Sequence, residues 1–182
     1  MYKSSWLAYV HNKLDNLGLS YIWNSQDVGN YEHFKCLVKI CIQDQYRQQW
    51  QSIVDASSKC SFYRIIKDNM NIESYLTSLP QHLLYSMVKL RMSNHRLPIE
   101  HLRHSGVIRE ERRCSICKVL GDEVHFLFHC PMFNQQRVLY LGKKYANSRN
   151  VTNVELYTFF NDSNKEKMYN LAKFVKCILT QF

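Results

Sequence analysis

Four residues within seventeen positions, Cys114, Cys117, His125 and Cys130, restrict the fold of this chain more than any other part of its sequence. They stand as Cys-x2-Cys-x7-His-x4-Cys. Two thiols two residues apart sit on one tight turn and can face one ion. A His and a Cys five positions apart are expected near one face of a helical turn. Together the four predict a tetrahedral Cys3His metal site, whose donor set suits zinc. A lone Cys-x2-Cys is a weak signal. Adding His125 and Cys130, closed by Pro131, makes it a specific one. His129 offers an alternative nitrogen. It directly precedes Cys130, and adjacent side chains do not easily converge on one small ion, which favours His125. With all four positions filled, no site is left for a reactive water. One structural Zn2+ is therefore expected, not a catalytic one.

A metal loop this small needs a larger body, and the rest of the chain predicts a helical one. Trp6, Val10, Leu14 and Leu17 share a helix face, with Gly18 as the cap. Phe34, Leu37, Val38, Cys41, Ile42, Tyr46, Trp50, Ile53 and Val54 predict one long helix. Shorter helices are expected over 61–67, over 72–79 ahead of Pro80, and over 83–93. After the cysteines, helices are expected from Phe133 to Tyr145, Val154 to Phe160, and Lys165 to Gln181. Only 5 Gly and 3 Pro in 182 residues argue against an all-β sandwich and against glycine-rich phosphate loops. Aromatics at 13% exclude a disordered chain. The fold class expected is mainly α, a helical domain with a small Cys3His zinc-binding loop inserted near residues 110–131. Three regions are expected: helical 1–95, a basic segment with the zinc module over 96–146, and C-terminal helices over 147–182.

No apolar run is long enough to cross a membrane, and residues 1–7 lack the apolar core of a signal peptide. An intracellular protein is expected, nuclear or cytoplasmic and not secreted. Seven cysteines there point to metal ligands and buried thiols rather than disulfides. Cys36, Cys41, Cys60 and Cys177 are expected to be simply buried. The formal charge is +9, and it is unevenly spread. Between Lys89 and Lys118 stand eight Lys and Arg against three Glu, more than half of the surplus in thirty residues. A basic run leading into a metal loop is the electrostatic footprint of phosphate binding. The candidate contacts are Arg91, Arg96, Arg103, Arg109, Arg112 and Arg113. Phe126 and Phe128 are candidate stacking platforms, though the loop's need for apolar cover favours a core role for both.

Three blocks of sequence taken in order resemble one known family. They are Lys89-Leu90-Arg91-Met92-Ser93-Asn94-His95-Arg96-Leu97-Pro98-Ile99-Glu100, then Arg109-Glu110-Glu111-Arg112-Arg113-Cys114-x2-Cys117, then Gly121-Asp122-Glu123-x-His125-Phe126-x3-Cys130. This order is similar to the C-terminal region of LINE-type (non-LTR) retrotransposon reverse transcriptases, with Gln45 to Trp50 and Ser57 to Tyr63 resembling the segment before it. The likeness covers roughly residues 40 to 140. Leu102 stands where the family has Gly, and His104 where it has an aromatic. The resemblance implies a post-polymerase region that holds zinc and grips template RNA or target DNA, with the polymerase domain of the parent protein as a partner. The polymerase centre needs paired aspartates for two metal ions, and no Asp-Asp pair occurs in this chain. No enzymatic activity is expected. The chain looks like a truncated copy or C-terminal fragment of such an element. The rival expectation is a structural remnant that packs on a polymerase thumb without binding nucleic acid.

Overall fold

The computed structural model describes residues 5–146 and 150–182. Residues 1–4 and 147–149, at the starts of two expected regions, lie outside the described residues. Among the described residues the protein is helical, and its β-structure is one isolated antiparallel bridge between Arg113 and Leu120. No helix among the described residues is long and apolar enough to cross a membrane.

The chain groups into two units, 1–56 and 57–182. In the first, helix α1 (Trp6–Asn16) starts where the Ser5 hydroxyl accepts a hydrogen bond from the Ala8 amide. It ends at Gly18, whose φ of +72° is left-handed. Helix α2 (Ser20–Ser25) packs back on α1 and buries Leu19 and Ile22. The expected long helix is α3 (Tyr31–Ala56), and Gln45 ties it to the Asn16 carbonyl. Its apolar stripe is only partly covered. Val54 is buried, but Ile42, Tyr46 and Ile53 are exposed.

The second unit holds α4 (Ser61–Ile66), α5 (Tyr75–Ser78), α6 (Gln81–Arg91), α7 (Pro98–His104), α8 (Asn134–Leu141), α9 (Asn153–Phe160) and α10 (Lys165–Leu179). Asn164 caps α10, accepting from the amides of Glu166 and Lys167. The apolar face of α10, Leu171, Ala172, Phe174, Val175 and Ile178, is fully buried against α6 and α8. A capping box of Thr152 and Glu155 starts α9, which packs on α4. Each buried Leu, Ile or Phe here contributes roughly 1.5–3 kcal/mol.

The expected divisions near 95 and 146 are not where the described residues separate. Cys114, Phe126, Phe128 and Cys130 belong to the same apolar cluster as Leu90 of α6 and Phe174 of α10. The cysteine loop is therefore part of the body's core and not a separate region. Pro80 and Pro98 behave differently from each other. Pro80 has extended backbone and precedes α6, while Pro98 is itself the first residue of α7. Helix α7 is missing from the expectation, because His101, Leu102, Arg103 and His104 give it little apolar period. The four cysteines outside the loop are not core residues: Cys36 is exposed, and Cys41, Cys60 and Cys177 are half-buried.

Candidate metal centre and its basic surroundings

The first two thiols stand on a hairpin. The Cys114 amide donates to the Val119 carbonyl at 2.8 Å, and the Lys118 amide to the Cys114 carbonyl at 3.0 Å. Lys118 closes the turn with φ +59°. The returning segment runs tightly over α7. Gly121 donates to the Arg112 carbonyl at 2.8 Å and accepts from the Ile99 amide at 3.1 Å. A Cβ there would lie 2.9 Å from the Pro98 Cβ and 3.0 Å from the Cys114 nitrogen. Only glycine fits without displacement.

The second pair stands on a π-turn, His125–His129, where the Cys130 amide donates to the His125 carbonyl at 2.7 Å. Asp122 starts this turn by accepting from the His125 amide at 2.8 Å. The wide turn matters for the site. On an α-helix, residues five apart lie about 140° apart around the axis. One extra residue in the turn, followed by extended backbone at Cys130, lets both side chains face the hairpin.

The four predicted ligands meet. Their donor atoms all lie within 4.8 Å of one another. The Cys130 sulfur is 4.0 Å from that of Cys114 and 3.9 Å from that of Cys117. Cys114, Cys130 and His125 are buried, and Cys117 is half-buried. The Nε2 atom of His125 is buried and makes no hydrogen bond. A buried ring nitrogen without a partner is costly unless something else takes its lone pair. His129, the alternative nitrogen, is exposed and outside the cluster.

The electrostatics point the same way. Burial pushes the Cys130 thiol up to about 12, and the neighbouring Cys114 and Cys117 add to that. Burial raises Cys117 as well. Burial also acts upward on Cys114. Hydrogen bonds from the backbone at Cys117 and Ile116, and from the other two thiols, outweigh it and bring Cys114 down. Burial lowers His125, with His129 and Arg137 reinforcing the shift, which favours its neutral ring. Three crowded thiols and a neutral imidazole are the arrangement a cation can resolve. These four residues can hold one metal ion.

A second layer of side chains fixes the loop. Arg137 of α8 is buried, yet all its described bonds go to the loop backbone. Its Nε donates to the Leu127 carbonyl at 2.7 Å and its Nη2 to the Cys130 carbonyl at 2.9 Å. On the other side, Ser93 and His95 both pair with Glu123 Oε1 at 3.0 Å. The Ser-x-His and Asp-Glu parts of the sequence blocks are thus one buried unit. Arg137 was legible in sequence only as a helix residue; a lone Arg among apolar positions of α8 is the signal that marks it. Phe126 and Phe128 are core residues, at 1% and 2% exposure.

The six candidate arginines divide. Arg91 is 1% exposed and cannot reach a phosphate. It pairs with Glu73 at 2.6 Å, donates to the Ile66 and Phe160 carbonyls, and lies over the Tyr75 ring. Arg103 is held by the buried Glu100 at 2.8 Å. Arg112 is half-buried and bonded to the Val107 and Ile99 carbonyls. Arg96, Arg109 and Arg113 are exposed, as is Lys118 within the hairpin turn.

No family model, no curated protein and no solved structure matches this chain.

Proposed function

We propose that this chain is a non-catalytic nucleic-acid-binding module built on one structural zinc ion. The carrying observation is the buried Cys114, Cys117, His125 and Cys130 cluster with Arg96, Arg109, Arg113 and Lys118 exposed on or beside its loops. Zinc–sulfur bonds of about 2.3 Å in a tetrahedron separate the sulfurs by about 3.8 Å, close to the distances between these thiols. A bound zinc would supply cross-linking of the hairpin to the π-turn, and its binding free energy would be folding free energy. The exposed cations then meet phosphate oxygens, so backbone contacts dominate and base identity matters little. The resemblance to the C-terminal region of LINE-type reverse transcriptases supports the same reading, with template RNA or target DNA as ligand inside the cell.

The test is binding of the zinc-loaded chain to single-stranded RNA and to duplex DNA at ~50 mM salt. Measurable affinity that falls steeply with salt is expected. Absence of binding to either at that salt overturns the proposal.

One observation favours a second reading. In the first unit Trp6, Leu7, Tyr9, Ile40, Tyr46 and Ile53 are all exposed. An apolar surface of this kind suits packing on another protein domain, which by the resemblance is a polymerase domain. Concentration-dependent self-association with no nucleic-acid binding would favour it over the first.

A further inference from the structure

The exposed arginines are scattered over the loop region, and none alone makes a site. The second unit also has two sizeable concavities among the described residues. The larger, about 770 Å³, is lined by Glu155, Asp162 and Glu166 as well as Lys144 and Lys167. Mixed charge of that kind does not select phosphate. The other, about 570 Å³, differs in character. It lies where α6, α7 and the end of α10 meet, and it is lined by Tyr85, Lys89, Arg96, His101, His104 and Phe182 among others. No Asp or Glu side chain lines it. Its size is within the roughly 300–1,000 Å³ of small-ligand sites.

Two features give this groove a chemistry. The first is charge. Lys89 and Arg96 face one space from two different segments, and Arg96 makes no ion pair or hydrogen bond with the described residues. The imidazoles of His101 and His104 add further donors. The second is the aromatic surface. Tyr85 is 63% exposed, so its ring is presented to the groove. The Lys89 ammonium sits 4.4 Å from its ring centroid and so holds it from one side. Phe182 offers a second, partly exposed ring. A cationic track next to a presented ring is the combination that grips unpaired nucleotides. The charge follows the phosphates and the ring stacks a base. A duplex keeps its base faces inside the stack and cannot use the ring.

We infer that this groove holds a single-stranded segment of nucleic acid, with a base stacked on Tyr85 and backbone phosphates on Lys89 and Arg96. The inference rests on the nucleic-acid-binding reading above and deepens it.

The test uses the full zinc-loaded chain, a fluorescein-labelled 12-nucleotide single strand and a duplex of equal length. Tyr85→Leu should weaken single-strand binding about five-fold or more, while Tyr85→Phe keeps it and duplex binding is unchanged by either. Lys89→Gln with Arg96→Gln should make the log–log salt dependence on the single strand shallower by about 1.4. Zinc content and melting temperature verify that each variant folds, which surface positions should allow. If these variants bind the single strand as the unmodified chain does, and only Arg109→Gln with Arg113→Gln weakens it, the groove assignment falls and nucleic-acid binding stands. If the unmodified chain binds neither probe, both fall.

Discussion

The Arg137 guanidinium donates to the carbonyl of Cys130, 2.9 Å away, from a helix outside the metal loop. It also holds the carbonyls of Leu127 and Phe126. The Cys130 charge in turn favours the protonated form of Arg137, against the burial that lowers it. With zinc bound as proposed, three thiolates, a neutral imidazole and Zn2+ would carry a net negative charge, which the buried Arg137 cation would balance. Arg137→Met should cost about 3–5 kcal/mol, because it strands three buried carbonyls. Chemical denaturation measures this. Arg137→Lys should recover only part, since one ammonium cannot span the three carbonyls in a plane.

Elemental analysis should find one zinc per chain. Cys117→Ser should lose it and lower the melting temperature, as chelation of the unmodified chain should. Full zinc stoichiometry in that variant would refute the ligand set.

Acid should release the metal. Cys117 and Cys130 are both raised, so both carry protons at neutral pH when no ion is bound. Metal binding must displace them, so affinity grows with pH and falls as protons return. At least two protons should leave per ion bound near neutrality. Titration in lightly buffered solution with a pH indicator counts them, and release of none would contradict the arrangement.

His125→Ala and His129→Ala separate the two nitrogens. The first should weaken zinc affinity by orders of magnitude. The second should leave it nearly unchanged, since His129 is exposed and outside the cluster. A competition assay with a chromophoric chelator distinguishes them.

Gly121→Ala should destabilise the protein by about 1–3 kcal/mol. The added methyl meets the rigid Pro98 ring and the Cys114 backbone, neither of which can swing aside. Thermal melting of the zinc-loaded protein is the measure, and a change within ±0.5 kcal/mol would speak against this packing.

Spacing alone revealed which four side chains cluster and most helices, because both depend on residues near in sequence. Trp6 to Leu17 and Met168 to Ile178 kept their period over several turns, and the structure has helices there. The fate of each arginine was not legible. Arg91 is consumed by Glu73, eighteen residues away, and by the Phe160 carbonyl, sixty-nine away. Nothing in a basic run announces such partners. The stripe on α3 misled in the opposite direction. Its period is helical, but what covers an apolar face is decided by other elements, and only Val54 of that helix is buried. The π-turn was hidden for a further reason. His-x4-Cys fits a helical turn by eye, yet the geometry that brings the ligands together is a helix with one residue too many.

The Phe182 ring meets the Phe126 ring edge-on at 5.0 Å. One face of that contact belongs to the metal loop and the other to the proposed groove. If both sites bind as proposed, any coupling between them through this contact must be reciprocal. Whatever factor zinc adds to the affinity for a single strand, the strand must add to the affinity for zinc.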